Sequence, residues 1–194
     1  MARKQGLVTE VAQIAGMNYY TVERHYRHLY ALDLLTKAGR GAAAAVMTRR
    51  DATRLMIAVA ITPSPLLGAP VVGHYESLLP HAPYQERLTA LGLSPDLPLY
   101  GAMEALAMQS PDDRRGGYVL FRSSQATASI WARIPGSDAF APEEIPFVPH
   151  ADFLTDAGAA LQSPDFARQS RLSLDLLHDL YRFIDEEAAR PCAA

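Results

Sequence analysis

Cysteine is almost missing: the 194 residues hold one, Cys192. A single thiol cannot form a disulfide within the chain, so the fold must rest on a hydrophobic core. Long apolar runs are missing too. The longest, Leu55 to Ile61, falls far short of the ~18–20 residues a membrane helix needs. The N-terminal MARKQGLVTE has basic residues but no apolar stretch of the kind a secretion signal carries. The expectation is a cytoplasmic protein with no membrane partner. Enzyme signatures are equally scarce. Ser123-Ser124 lacks a nucleophile elbow. Gly116-Gly117 lacks the Gly-Lys-Ser/Thr of a phosphate loop. His25 and His28 stand three apart, but no cysteine or second cluster completes a metal site with them. No catalytic activity, cofactor or metal is expected.

What is present is enough for a globular core. Hydrophobic residues make up 49% and charged residues 20%, a length and composition that suit one ordinary domain or two small ones. The net charge of −3 hides an asymmetry. The first 50 residues carry eight Lys/Arg and three acids, a net +5, while the other 144 carry 10 bases and 18 acids, a net −8. A compact basic segment on an acidic remainder is the charge plan of a polyanion-binding module joined to something else.

The apolar pattern predicts two helices over residues 7–32, interrupted at Gly16-Met17-Asn18. Val8, Val11, Ala12 and Ala15 line the first; Val22, Tyr26 and Leu29 line the second, which Asn18 is suited to cap. Residues 34–48 are expected as a strand pair around an Ala38-Gly39-Arg40-Gly41 tip. A helix follows over 49–61, with Thr48 and Asp51 in capping-box spacing and Ala52, Leu55, Met56 and Val59 as its buried stripe. Thr62-Pro63-Ser64-Pro65 ends it and sets the expected domain boundary, giving domains 1–61 and 62–194. Beyond it, short helices are expected near 69–79, 83–91 and 99–109. A hairpin is expected over 117–134, turning at Ser123-Ser124-Gln125, with Trp131 on its polar side. A strand at 144–148 would be confined to a sheet edge by Pro146. Helices near 150–162 and 172–189 complete the chain, the last with Leu176, Leu177, Leu180, Tyr181 and Ile184 on its apolar face. The fold class is α+β.

Residues 8–27, VTEVAQIAGMNYYTVERHYR, satisfy several constraints together. A small residue in the first helix (Ala12), a glycine at the turn (Gly16) and a branched apolar residue in the second helix (Val22) fall four and six residues apart. This resembles the helix-turn-helix of bacterial and phage regulators. With the following LLTK, Gly-Arg-Gly tip, VMT and helix, residues 7–61 look like a winged helix-turn-helix. The Leu pair, the GRG wing and the Met-Thr-Arg-Arg-Asp helix start are similar to those of small regulatory proteins of bacterial prophages. A winged helix ordinarily opens with one more helix. Here either that helix is vestigial, or residues 49–61 or a second subunit would stand in its place.

The resemblance implies a sequence-specific, DNA-binding transcriptional regulator that binds as a homodimer. The second helix would enter the major groove and the wing would touch the backbone or minor groove. Asn18, Tyr19, Tyr20, Thr21, Glu23, Arg24 and Arg27 would lie on or near the reading face, Arg24 being suited to guanine O6/N7. Glu23 would repel phosphate and is better placed to hold Arg24 or Arg27. Arg40 would serve at the wing, and Lys37, Arg49 and Arg50 would meet phosphates. The rest, 62–194, would be a small α+β domain with an antiparallel hairpin and a C-terminal helix, for dimerisation, a protein partner or a ligand. Two other classes fit the same features: a DNA-packaging or recombination accessory protein, and a winged-helix protein–protein module without DNA contact.

Overall fold

A computed structural model describes residues 4–37, 46–122, 126–136, 144–149 and 169–189. The chain forms two compact units, one joining residues 1–72 to 178–194 and the other spanning 73–177. The division thus differs from a single boundary after residue 61: the end of the chain returns to the first unit.

In the first unit, helix α1 (Lys4–Ala15) buries Leu7, Val8, Val11 and Ala12. Gly16 then adopts φ +61°, and the Met17 N–H reaches back to the Ala12 carbonyl at 2.9 Å. This left-handed ending closes carbonyls that the helix leaves open, and it favours glycine because any Cβ is strained there. Asn18 caps α2 (Tyr19–Ala31) by accepting the Tyr20 N–H at 2.9 Å. Helix α2 buries Val22, His25, Tyr26 and Leu29. Helix α3 (Arg49–Ile61) opens on a complete capping box between Thr48 and Asp51 and packs against both α1 and α2. Burial extends well beyond the expected stripe of four residues, to Asp51, Thr53, Ile57, Ala58 and Ile61. The last helix, α8 (Leu174–Ala189), meets α3 at Thr53 and Arg49. Its Tyr181 hydroxyl lies 2.6 Å from Thr53 Oγ1, and its Asp185 takes both Arg49 Nε and Nη2, at 3.2 and 2.6 Å. Leu174, Leu177, Leu180, Tyr181 and Ile184 are its buried residues; Leu176, expected among them, is 40% exposed.

The expected strand pair over 34–48 does not appear in the part that is described. Leu34–Lys37 and Val46–Thr48 carry no strand, and the tip, Arg40 included, lies outside the described residues. The physical reason is that α3 takes their backbone groups: Asp51 Oδ1 accepts the Thr36 N–H at 2.8 Å, and Arg54 donates to the Leu34 carbonyl at 2.6 Å. Groups held this way cannot join a strand ladder.

Helix α4 (Gly68–Glu76) runs from the first unit into the second. The second unit holds β1 (Leu79–Pro80), α5 (Gln85–Ala90), α6 (Leu99–Ala107), α7 (Pro111–Arg114), β2 (Tyr118–Arg122), β3 (Thr127–Trp131), β4 (Ile145–Val148) and β5 (Gln169–Ser173). The strands form one antiparallel sheet in the order β1-β4-β3-β2-β5. The β2–β3 hairpin is the one expected; its turn, 123–125, lies outside the described residues, as does the helix expected near 150–162. Strand β5, with Gln169 and Arg171 exposed, has too little apolar alternation to announce itself. Strand β4 corrects the edge assignment, since it lies between β1 and β3. Pro146 is tolerated because its nitrogen and carbonyl point toward β1, which ends there: only the His81 N–H meets the Pro146 carbonyl, at 2.9 Å. Val119, Phe121, Ala128, Ile130, Ile145, Phe147 and Leu172 are buried on one face of the sheet, where the Tyr75 ring of α4 meets Phe121 edge-on at 5.5 Å. No described helix is long and apolar enough to cross a membrane.

Candidate nucleic-acid interface

The back of α2 fixes its front. Val22, His25 and Leu29 are fully buried and Tyr26 nearly so, so the helix cannot rotate without breaking the core. At 100° per residue the opposite stripe carries Tyr20, Arg24, Arg27 and Ala31, all exposed. Tyr20 is 72% exposed, an unusual state for so large a ring, and packs edge-on against Tyr19 at 5.6 Å. Arg24 makes no ion pair or hydrogen bond within the described residues, leaving its fork of donors available. Asn18, exposed at the helix start, uses its Oδ1 for the cap. Thr21 is half-buried on the flank.

Glu23 does not point into this stripe. Its Oε1 accepts from Arg27 at 2.9 Å and from Lys4 of α1 at 3.1 Å. Hydrogen bonds from Lys4 and then Arg27 hold its carboxyl below the usual range. The acid thereby braces Arg27 and ties α1 to α2. His25, one step behind Arg24, has no hydrogen-bond partner at either ring nitrogen. Burial, and then the positive charges of His28 and Arg24, push it down to about 4, so the ring is neutral at pH 7.

The remaining expected phosphate contacts are dispersed. Lys37 pairs with Asp33 and lies over the Tyr30 ring. Arg49 is held by Asp185, as described, and stacks over Tyr181. Arg50 is exposed in the first turn of α3. The structure therefore gathers Asn18, Tyr19, Tyr20, Thr21, Arg24 and Arg27 on one helix and does not add Lys37 or Arg49 to them as unpaired charges. A groove that the sequence did not reveal adjoins the stripe. It lies between the later turns of α2 and the turn Ser64–Leu66, a segment whose prolines carry the pattern of a linker.

The second unit carries a polar cluster of its own. Glu144 accepts from Tyr118 at 2.9 Å and from Ser129 and Arg122, each at 2.6 Å. Burial raises the Glu144 carboxyl, but these three hydrogen bonds outweigh it and hold the group below its ordinary range. A carboxylate saturated in this way stays ionised and braces the sheet; it is poorly suited to donate a proton. Among the described residues no group of three or more His, Cys, Asp or Glu is placed to hold a metal ion.

No family model matches the chain, and no curated protein and no solved structure is significantly similar to it.

Proposed function

We propose that the chain is a sequence-specific DNA-binding regulator of bacterial or phage type in which α2 reads the major groove. The carrying observation is the outer stripe of α2: exposed Tyr20, unpaired Arg24 and braced Arg27 on a helix whose back is locked into the core. An unpaired guanidinium in the second turn of a helix, one turn on from an exposed tyrosine, suits bidentate contact with guanine and backbone contacts beside it. The acidic second unit would then carry partner or effector contacts, and a homodimer would align two such helices on a palindromic site. The described part of residues 34–48 carries no strand, so the wing is not used in this reading.

The test is selection from a pool of random duplexes by the full chain, followed by fluorescence anisotropy. Enrichment of one motif is expected, with Arg24→Ala weakening it by about 1–3 kcal/mol while an unrelated duplex is bound as before. A palindromic motif would show binding as a dimer. A steep salt dependence with no motif would replace the regulator by an accessory DNA-binding protein. Failure to bind any duplex at low salt would sink the reading.

A further inference from the structure

The groove beside α2 has about 430 Å³ of space and is lined from the helix by Arg24, Arg27 and His28 and from the turn by Ser64, Pro65 and Leu66. Two of its lining residues, Arg24 and Arg27, are cationic, and none is acidic. Arg24 and His28 have no ion-pair partner within the described residues. The turn is held in shape, not loose: the Ser64 N–H donates to Thr62 Oγ1 at 3.1 Å and the Leu67 N–H to the Ser64 carbonyl at 3.1 Å. Its apex, Leu66, is 73% exposed although it is apolar.

Position decides what this groove would meet. The 13 residues of α2 span about 20 Å, whereas the major groove is about 12 Å wide. If the first turns of α2 enter the groove, the later turns cross its rim, where the phosphates lie. Arg27 and His28 occupy those later turns, and the Ser64–Leu66 turn stands beside them.

Resting on the reading of α2 given above, we propose that this groove seats a backbone phosphate of the bound DNA. Arg27 and His28 grip it from the helix and Ser64 from the turn, with Leu66 against the adjoining deoxyribose. The turn after α3 thus does the backbone work that a wing would do elsewhere.

The experiment measures binding of the full chain, by anisotropy, to the selected duplex and to an unrelated one, between about 50 and 200 mM salt. Ser64→Glu places a negative charge in the seat and is expected to weaken both duplexes about tenfold alike, because a phosphate contact carries no sequence information. His28→Ala is expected to weaken both in the same way, and Arg27→Ala to lower the salt slope by about 1. Leu66→Glu, at an exposed position, repeats the test should Ser64→Glu disturb folding in a thermal melt. Wild-type affinity in Ser64→Glu, Leu66→Glu and His28→Ala overturns the seat and leaves the α2 reading standing. Absence of any duplex binding by the wild type overturns both. Inorganic phosphate offers the same chemistry from another source. If it shifts the amide resonances of Arg27, His28 and Ser64 while duplex DNA does not, the groove is a small-anion site and the proposal fails.

Discussion

His25 shares helical spacing with Val22, Tyr26 and Leu29, and it is buried with them as a neutral ring without a hydrogen-bond partner. Its folded-state value of about 4 lies below the 6.5 of an unperturbed histidine, so between these values the unfolded chain binds a proton that the native chain refuses. Stability therefore falls as pH drops from 6.5 toward 4, by about 3 kcal/mol from this residue. Urea unfolding at pH 7 and pH 4 should show the loss, and His25→Leu should remove most of it; an unchanged pH dependence in the variant would refute the assignment. Gly16 gives a second test. A Cβ there would meet nothing within 4 Å, so the φ of +61° alone sets the effect of Gly16→Ala. The loss should be about 1–2 kcal/mol in urea unfolding, with no change in the core. Gly16 was legible because a left-handed turn is a local demand on the chain; the burial of His25 was not, because the sequence assigned only Val22, Tyr26 and Leu29 to the inner face and a histidine is polar by type. The Arg49–Asp185 pair was not: its partners lie 136 residues apart, and no spacing rule reaches so far.

At the scale of elements, α3 shows how a cap organises more than its own helix. The Asp51 carboxylate accepts from the Thr48 N–H at 2.7 Å, the Thr48 hydroxyl at 2.9 Å and the Thr36 N–H at 2.8 Å. Thr48→Ala removes one cap and should lower stability by about 1 kcal/mol. Asp51→Ala leaves the Thr36 and Thr48 N–H groups without acceptors in a half-buried site, and should lower it by about 3 kcal/mol. Thermal melts of the two variants would rank them, and equal losses would show that the Thr36 bond contributes nothing. The capping box was visible as Thr48 and Asp51 three residues apart. Its effect on Leu34–Lys37 was not, because alternation in sequence does not show which backbone groups a distant side chain will claim. Strand β4 teaches the same lesson in reverse: Pro146 argued for an edge, yet a neighbouring strand of two residues leaves its nitrogen unopposed.

For the whole molecule, the charge asymmetry survives folding in diluted form. The first unit holds 11 basic and 8 acidic residues, the second 7 and 13. The first is less basic than the opening 50 residues suggested because α8 brings Asp179, Asp185, Glu186 and Glu187 to it. That helix also brings apolar area. A chain stopped after Leu177 loses Leu180, Tyr181 and Ile184, each fully or almost fully buried. At about 1.5–3 kcal/mol per side chain, the loss rivals the ~5–15 kcal/mol that holds a whole domain together. Such a chain should lose the dispersed amide resonances of α2 and its cooperative melt; retention of both would show that the first three helices suffice.

The closing of the first unit by α8 has a consequence for synthesis. Helices α1 to α3 leave the ribosome early, but the side chains that complete their core follow the 105 residues of the second unit. At about 5–20 residues per second that is a wait on the order of 5–20 s. During the wait Thr53 and Arg49 of α3 stay without Tyr181 and Asp185, their partners on α8. A nascent or prematurely terminated chain would therefore lack the Thr53–Tyr181 and Arg49–Asp185 contacts, and only a chain translated through its last helix would close the first unit.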